Sequence, residues 1–275
     1  MSSNRTDMRG RTCVVTGASS GIGRAAADEL AGRGAHVIMV CRDRSRGEAV
    51  LGEIRQRTGS RGLLLLIADL SSQQAIWRLA QEIESRYPRI DVLINNAGVC
   101  LPGPCDQVSA EDDRLTVEVN LIGVMNGVRT LLPRFLARNR GHVINVASMG
   151  AFSPSPGLAA YCATKHAVRA YTHSCSFDHR HAPIHWTLAC PSAVETPMLQ
   201  DMRQRRAGVV VFTEKPMPPE TIAAAIVDAI REPRREILVP NTAGKRLLRF
   251  IGLFPGLLSR GMDDAERRGM DALDD

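Results

Sequence analysis

Thr12-Cys-Val-Val-Thr-Gly-Ala-Ser-Ser-Gly-Ile-Gly23 is a short apolar run that passes into three glycines. Such a run is typical of a buried strand, and the residues after it predict a helix over 24–33. Where a glycine-rich turn joins a strand to a helix, backbone N–H groups and the helix dipole can hold a pyrophosphate. The glycines at 17, 21 and 23 depart from the usual Gly-x-Gly-x-x-Gly spacing, so the turn alone fits a structural role as well as a functional one.

Apolar runs and helical segments alternate along the rest of the chain. After the strand at 12–16, further strands are predicted at 36–41, 63–68, 91–95, 142–147, 184–189 and 236–239. Helices are predicted at 43–57, at 71–86 after a serine cap, from the loop at 101–104 to about residue 138, and at 158–179 and 219–230. Strands that are apolar throughout and alternate with helices form a parallel sheet covered on both faces. The fold class is therefore α/β: a single-domain, doubly wound, Rossmann-type parallel sheet over residues 1–240, with a C-terminal extension at 241–275.

The bulk composition is that of an ordinary globular protein, with 44% hydrophobic and 23% charged residues in a chain of 275. Lys and Arg number 35 against 29 Asp and Glu, which gives a net charge of +6. That charge suits a phosphate-bearing ligand, an acidic surface or a nucleic acid. Only 4% of residues are aromatic, which argues against a base-stacking platform. We interpret the short arginine clusters as solvated faces and expect no nucleic-acid partner.

Cysteine and histidine spacing argues against disulfides and metals. The seven cysteines are an odd number without Cys-x-x-Cys spacing. We interpret them as reduced core thiols in a reducing compartment and expect a cytoplasmic protein. Residues 1–11 are polar, unlike a signal peptide, and no run reaches the ~18 apolar residues of a membrane span. The histidines at 173, 179, 181 and 185 lack zinc-site spacing, so we expect no metal.

Tyr161 and Lys165 form a pair with distinctive chemistry. Positions i and i+4 of a helix share a face, so the phenol and the ammonium would lie side by side. A neighbouring cation favours the phenolate and lowers the pKa of the tyrosine from its usual ~10. Lowering that pKa to ~7 requires about 4 kcal/mol, which one lysine approaches only in a partly desolvated cleft with a second positive charge nearby. A Tyr-x-x-x-Lys alone is equally compatible with an ordinary amphipathic helix.

Five motifs together resemble one family. Thr16-Gly-x-x-x-Gly-Ile-Gly23, Asn95-Asn-Ala-Gly98, Asn120, Ser148 and Tyr161-x-x-x-Lys165 occur in the order and spacing of the short-chain dehydrogenase/reductase family. The resemblance covers roughly residues 11–240. Each motif has a structural explanation as a strand end, a helix cap or a turn, but those explanations leave the joint spacing unexplained.

The resemblance implies an oxidoreductase that moves hydride between a nicotinamide cofactor and a carbonyl/alcohol substrate. Tyr161 would be the general acid or base, and Lys165 would lower its pKa and bind the nicotinamide ribose. Ser148 would hold the substrate oxygen, and Asn120 would support the lysine through a water. The implied catalytic residues are thus Asn120, Ser148, Tyr161 and Lys165. The implied cofactor-binding residues are Gly17, Ser19, Ser20, Gly21, Ile22, Gly23, Arg42, Asp69, Leu70, Asn96, Ala97, Gly98, Tyr161, Lys165, Pro191, Val194 and Thr196.

Two arginines bear on which nicotinamide cofactor is expected, and a serine near the expected cofactor site departs from the family pattern. An arginine about 20 residues after the glycines accommodates the 2′-phosphate of NADP, whereas an acidic residue binds the 2′-hydroxyl of NAD. Arg42 ends the second strand, so we expect NADP(H) to be preferred over NAD(H), with Arg24 as a candidate second contact. Ser192 stands where the family usually has glycine, and a positive φ there would strain a serine.

The C-terminal segment is strongly apolar, with basic residues at both ends of 245–260. It is too short to span a bilayer, and Gly252, Pro255 and Gly256 would break a continuous helix. One interpretation is a subunit contact in a homodimer or homotetramer, or a cover for the core. The other is a wall of an apolar pocket or a contact with a membrane surface, which favours a bulky lipophilic substrate such as a steroid, a retinoid or a long-chain carbonyl compound.

Two other functions compete with the enzyme. A catalytically silent nucleotide-binding regulatory protein could share the fold, but it has no reason to keep Ser148, Tyr161 and Lys165 together. A nucleic-acid-binding module rests on the basic pI alone, and a salt-dependent affinity would reveal it.

Overall fold

The computed structural model describes residues 7–274, with the backbone alone at positions 255, 257 and 260. Over this range the strands are β1 (Thr12–Thr16), β2 (His36–Cys41), β3 (Leu63–Ile67), β4 (Val92–Asn95), β5 (Gly141–Val146), β6 (Ile184–Pro191) and β7 (Glu236–Val239). They form one parallel sheet in the order β3-β2-β1-β4-β5-β6-β7. From β1 the chain adds β2 and β3 on one side, and then crosses over to add β4 and the later strands on the other side of β1. In such folds a ligand crevice opens between the two strands at this crossover, here β1 and β4. The α/β prediction is confirmed. The expectation that residues 1–11 are not a signal peptide concerns in part residues 1–6, which lie outside the described residues.

Helices follow the strands in alternation. They are α1 (Gly21–Gly32), α2 (Arg44–Thr58), α3 (Gln73–Arg86), α4 (Ala110–Val117), α5 (Gly123–Ala137), α6 (Ala159–Asp178), α7 (Pro197–Gln204), α8 (Pro219–Arg231), α9 (Ala243–Ile251), α10 (Pro255–Arg260) and α11 (Met262–Asp274). A π-helical turn at Glu118–Ile122 joins α4 to α5, and short 3₁₀ turns lie at Met149–Ala151 and Val209–Thr213.

Both faces of the sheet are covered because the strands are apolar on both sides. On one face, α1, α2 and α8 pack through residues such as Leu30, Ile54 and Ile226 against the strands. On the other, α3 and α5 pack through Ile83 and Phe135, and α6 completes the layer. This double coverage leaves the edge formed by the strand carboxyl ends free to build a site.

Local hydrogen bonds explain where the boundaries differ from the predicted ones. α1 begins at Gly21 rather than 24, because the turn closes directly onto the helix and Arg24 N already donates to Ser20 O. α3 begins after Ser72 rather than Ser71, because Ser72 Oγ accepts from the helix while Ser71 donates to Asp69.

The C-terminal extension is three short helices. The first interruption begins at Gly252, as predicted, but Pro255 and Gly256 start α10 instead of breaking it, and the second interruption is at Gly261. α9 packs Leu248 into a buried cluster of the main body. α11 lies so close to the turn at Val209–Thr213 that a Cβ on Gly269 would be 2.1 Å from Val209 O. The extension is therefore docked on the domain.

The thiol prediction needs one correction. All seven cysteines are free, and five of them are buried, but Cys105 is exposed and Cys175 is intermediate. Cys105 lies in the loop before α4, where no apolar element covers it. Across residues 7–274, no helix has the length and apolar character needed to cross a membrane.

Candidate active site

A cavity of about 840 Å³ extends along the carboxyl edge of the sheet. Of the expected site residues, the cavity is lined by Gly17, Ser19, Ser20, Gly21, Ile22, Arg42, Asp69, Leu70, Asn96, Ala97, Gly98, Ser148, Tyr161, Lys165, Pro191, Val194 and Thr196. Gly23 and Asn120 stand behind its wall. The structure thus brings together residues that are up to 179 positions apart, from Gly17 to Thr196.

The glycine turn is shaped by close backbone approach. Gly17 has φ +66°, and a Cβ there would lie 2.8 Å from Ala97 Cα. A Cβ on Gly23 would lie 2.3 Å from Gly17 O, so Gly23 serves the packing of the turn instead of lining the cavity. Asn96 Nδ2 donates to Thr16 O at 3.0 Å and fixes the turn to the end of β4.

The amino end of α1 is open to a ligand. Its N-cap residue, Ser20, makes no side-chain capping hydrogen bond. The N–H groups of a first helical turn otherwise need an acceptor, and they carry the positive end of the helix dipole. An anionic group in the cavity at this point would satisfy them.

Two arginines face the cavity beside the ends of β2 and β3. Arg42 and Arg46 are exposed cavity-lining residues, and neither forms a salt bridge among residues 7–274. Arg24, expected as a second contact, instead pairs with Glu53 at 2.6 Å and does not line the cavity. Sequence reasoning missed Arg46. Asp43 could have indicated it, because an aspartate before a helix is a typical N-cap. Its side chain accepts from Arg46 N, which places Arg46 in the first turn of α2, close in sequence to Arg42.

Asp69 lies at the same end of the cavity. It accepts hydrogen bonds from Ser71 N at 3.0 Å and Ser71 Oγ at 2.7 Å. These bonds, with the nearby charge of Arg42, lower the pKa of the Asp69 carboxyl below its usual value. Asp69 is therefore a fixed anionic acceptor at the end of β3.

Ser148, Tyr161 and Lys165 meet at the middle of the cavity. Lys165 Nζ lies 5.5 Å from the centroid of the Tyr161 ring and donates to Val146 O at 3.0 Å. Burial lowers the pKa of Lys165 to about 8. Burial also raises the pKa of the Tyr161 hydroxyl well above its usual value, while a hydrogen bond with Ser148 acts in the opposite direction. The phenol therefore holds its proton at neutral pH.

Three thiols that sequence reasoning did not assign surround this pair. Cys100, Cys162 and Cys190 are buried, and as thiolates each would further raise the pKa of Tyr161. Burial raises the pKa of Cys100 itself to about 12, so the thiol stays neutral. The surroundings of the phenol are accordingly apolar and uncharged apart from Lys165.

Asn120 supports the centre from behind. It lies in the π-helical turn, is fully buried, and its Oδ1 accepts from Val99 N at 2.8 Å. Its Nδ2 donates to Val99 O and to Thr164 Oγ1, the latter on the helix that carries Tyr161 and Lys165. Asn120 thus ties α6 to the chain after β4.

The other half of the cavity is apolar. Its lining includes Leu101, Met149 and Leu158, together with residues of the segment 197–213 and of the C-terminal helices, namely Met198, Met202, Val211, Leu248, Ile251, Leu258 and Met262. Ser192, the departure from the family pattern, is not among the non-glycine residues with positive φ in the described range. The strain considered for that position is therefore absent.

Two of the four clustered histidines contact side chains that are not part of a metal site. His173 Nε2 lies 3.2 Å from Glu236 Oε2, and the His179 ring stacks on Trp186. In the part of the chain that the structure describes, no group of three or more His, Cys, Asp or Glu side chains could hold a metal ion.

Comparison with known proteins places this site in a family. The family model described as short chain dehydrogenase matches residues 11–207. The fatty acyl-CoA reductase of Acinetobacter baylyi is 32% identical over 235 residues, covering 84% of this chain and 77% of that protein. The short-chain dehydrogenase from Sphingobium yanoikuyae in complex with NADPH has a TM-score of 0.77 at 27% identity, covering 90% of this chain and 95% of that one. A short-chain dehydrogenase/reductase from Burkholderia phymatum in complex with NAD has a TM-score of 0.79 at 28% identity, covering 89% and 93%. The chain belongs to the short-chain dehydrogenase/reductase family and is an NAD(P)-dependent oxidoreductase.

Proposed function

We propose that this protein is an NADP(H)-dependent dehydrogenase/reductase acting on CH–OH/C=O groups of a bulky, lipophilic substrate. The observation that carries the proposal is one continuous cavity. It begins at the open amino end of α1, passes the Ser148–Tyr161–Lys165 cluster and ends in an apolar chamber. A dinucleotide and a substrate could therefore meet at the phenol.

The residues fit a nicotinamide dinucleotide. A turn too tight for a Cβ at Gly17 or Gly23 brings backbone N–H groups to the cavity, as a pyrophosphate site requires. Gly17, Ser19, Ser20, Gly21 and Ile22 would bind the pyrophosphate. Asp69, Leu70, Asn96, Ala97 and Gly98 would bind the adenosine side, and Pro191, Val194 and Thr196 the carboxamide side. When bound, the cofactor supplies or accepts the hydride.

The preference for NADP(H) is supported by Arg42 and Arg46. Both arginines line the cavity, and neither forms a salt bridge within the described residues. A 2′-phosphate would give both a charge-assisted, bidentate partner. We therefore assign both residues to that phosphate, and a related structure contains NADPH.

The proton is assigned to Tyr161. Its hydroxyl, protonated at neutral pH, would donate to the carbonyl oxygen in reduction and take the proton back in oxidation. Ser148 Oγ would hold the substrate oxygen beside it. Lys165 would stabilise the phenolate as it forms and bind the nicotinamide ribose. Asn120 would keep α6, and hence Lys165, in position through its bonds to Thr164 and Val99.

The substrate assignment rests on the apolar chamber. Its walls come from α7, the turn at Val209–Thr213 and the C-terminal helices, and they are lined mainly by Leu, Met, Val and Ile. Along these apolar side chains a sugar would leave most of its hydroxyl groups without hydrogen-bond partners. The relative from Acinetobacter baylyi is named a fatty acyl-CoA reductase, which is in keeping with a lipophilic substrate.

The outer side of the extension suggests further contacts. Leu247, Phe250, Leu253 and Phe254 are exposed on and just after α9. We propose a homodimer or homotetramer, with residues 245–260 as a subunit contact or as a region that touches a membrane surface without spanning it. The working location we propose is the cytoplasm.

The direct experiment is a screen for NADPH consumption with aldehydes, aliphatic ketones, quinones and ketosteroids. We expect turnover with at least one large lipophilic carbonyl compound and weaker turnover with small polar ones. Cofactor binding by calorimetry, with no turnover of any compound in either direction, would instead favour the regulatory alternative.

A further inference from the structure

One carboxylate joins three segments around the cavity. Glu214 Oε2 accepts a hydrogen bond from Ser192 Oγ at 3.1 Å and lies 2.8 Å from Lys245 Nζ. Ser192 belongs to the segment after β6 that is assigned to the cofactor, and Lys245 lies in the first turn of α9. All three residues line the cavity.

The Lys245–Glu214 pair differs from the surface ion pairs of this chain. The side chain of Lys245 is only 13% exposed, whereas that of Glu214 is 49% exposed. An ammonium group held in a cavity wall is costly without a nearby anion. Glu214 therefore stabilises the docked position of the amino end of α9.

The rest of α9 is held by a different part of the domain. Arg249 pairs with Glu236 at 2.9 Å, and a Cβ on Gly252 would lie 2.0 Å from Phe152 O. These contacts fix the carboxyl end of α9 beside β7 and beside the residue that follows the 3₁₀ turn at Met149–Ala151. Lys245 links the amino half of α9 to the loop that follows the 3₁₀ turn at Val209–Thr213.

That loop is itself clamped to the cofactor-facing segment. Met217 N donates to Ala193 O at 2.9 Å, and Glu195 N donates to Met217 O at 2.8 Å. A shift of residues 192–195 would therefore move the loop around Glu214 and Met217 with it. The Ser192 hydroxyl adds a direct bond that a glycine at that position could not make.

We propose that Glu214 is a positioning residue that couples the docking of α9 to the conformation of the cofactor-facing segment 191–196. Cofactor binding then tightens the wall of the substrate chamber. This inference rests on the proposed function, because it requires a nicotinamide dinucleotide to order that segment. By thermodynamic linkage, if cofactor binding stabilises the docked position of α9 by a certain free energy, docking of α9 strengthens cofactor binding by the same free energy.

The test is hydrogen exchange of the α9 amides in the full chain, with and without saturating cofactor. NADPH and NADH are first titrated by calorimetry, and the tighter one is used. In the native protein, cofactor should slow exchange of the α9 amides by about fivefold, which corresponds to a coupling of ~1 kcal/mol. Glu214→Gln should still bind the cofactor but should lose most of that protection, and Ser192→Ala should reduce it.

Lys215→Met is the matched control, since it removes an exposed lysine next to Glu214 that has no ion-pair partner in the described chain. It should retain the full protection. Cofactor binding without any change in α9 exchange, or equal protection in the native protein and Glu214→Gln, would overturn the coupling and leave the proposed function intact. Failure of both nucleotides to bind would overturn both.

Discussion

At the level of single residues, burial sets the proton affinities at the centre of the cavity. It raises the pKa of Tyr161 and lowers that of Lys165 to about 8. The chain alone therefore keeps the phenol protonated at neutral pH, ready to donate to a carbonyl oxygen. Taking a proton from an alcohol requires a lower phenol pKa, to which the positive charge of an oxidised nicotinamide would contribute.

The cofactor preference is a single-residue prediction. Arg42→Ala and Arg46→Ala each remove one guanidinium from the site assigned to the 2′-phosphate. Since a hydrogen bond to a charged group contributes roughly 1.5–3 kcal/mol, each variant should lower kcat/KM with NADPH by about 10-fold or more and change it little with NADH. Arg44→Ala, an exposed arginine of the same turn that does not line the cavity, is the control. A native enzyme that works as well with NADH as with NADPH would contradict the assignment.

His142 gives a pH prediction away from the active site. It is buried on β5, where its Nε2 lies 2.8 Å from Thr187 Oγ1, and burial lowers its pKa from 6.5 to about 3. Between these values the unfolded chain takes up a proton that the folded chain does not. The free energy of unfolding should therefore fall as pH falls from 6.5 towards 3, by about 2 kcal/mol from this group at pH 5.

The check compares urea unfolding at pH 7.5 and pH 5.0. His142→Asn should be less stable than the native protein at pH 7.5, but it should lose about 2 kcal/mol less on acidification. The same substitution at the exposed His36 is the control and should leave the pH dependence as in the native protein. An equal loss in the native protein and His142→Asn would show that His142 does not contribute to acid sensitivity.

At the level of elements, the strands could be predicted because their apolar runs are uninterrupted. The predicted bounds at 12–16, 36–41 and 236–239 match the observed strands. The ends of other strands depend on pairing with a neighbouring strand. For example, β6 continues beyond the predicted residue 189 to Pro191, because Pro191 pairs with Val239 of β7. No local pattern reports such a partner, so strand ends beyond the apolar run could not be read from the sequence.

The site was predictable where it depends on motifs and unpredictable where it depends on tertiary packing. Tyr161, Lys165 and Ser148 were assigned from spacing and resemblance, and the structure places them together. The link from Lys245 to Glu214 crosses 31 positions, one helix and one strand. Its partners have no periodic relation, so it appears only once α9 is docked.

The docking of α11 makes an element-scale prediction. Gly269→Ala would place a Cβ 2.1 Å from Val209 O, so α11 must move away from a wall of the substrate chamber. KM for a large lipophilic carbonyl substrate should rise by about fivefold or more, with little change for a small ketone. Gly256→Ala, in α10 of the same extension, is the matched control, because a Cβ there meets nothing within 4 Å and Gly256 does not line the cavity. Equal effects of the two variants on the large substrate would remove α11 from the chamber wall.

At the level of the whole molecule, the extension and the assembly can be separated by deletion of residues 245–275. If the extension is a pocket wall, the truncated protein should lose activity selectively on large substrates, with its mass on a sizing column reduced only by the deleted residues. Equal loss on large and small substrates, together with dissociation into smaller species, would identify a subunit contact instead. Steady-state kinetics and light scattering on the same preparation distinguish the two.

If the Tyr161 phenol moves the proton in a nicotinamide-dependent reaction, Tyr161→Phe should abolish most of the activity. This change removes only the hydroxyl, so folding and NADPH binding, measured by thermal unfolding and calorimetry, should match the native protein. Turnover of the best substrate from the screen should fall by about 10²–10⁴-fold, the contribution of a positioned acid or base. Near-native turnover in Tyr161→Phe would contradict the account.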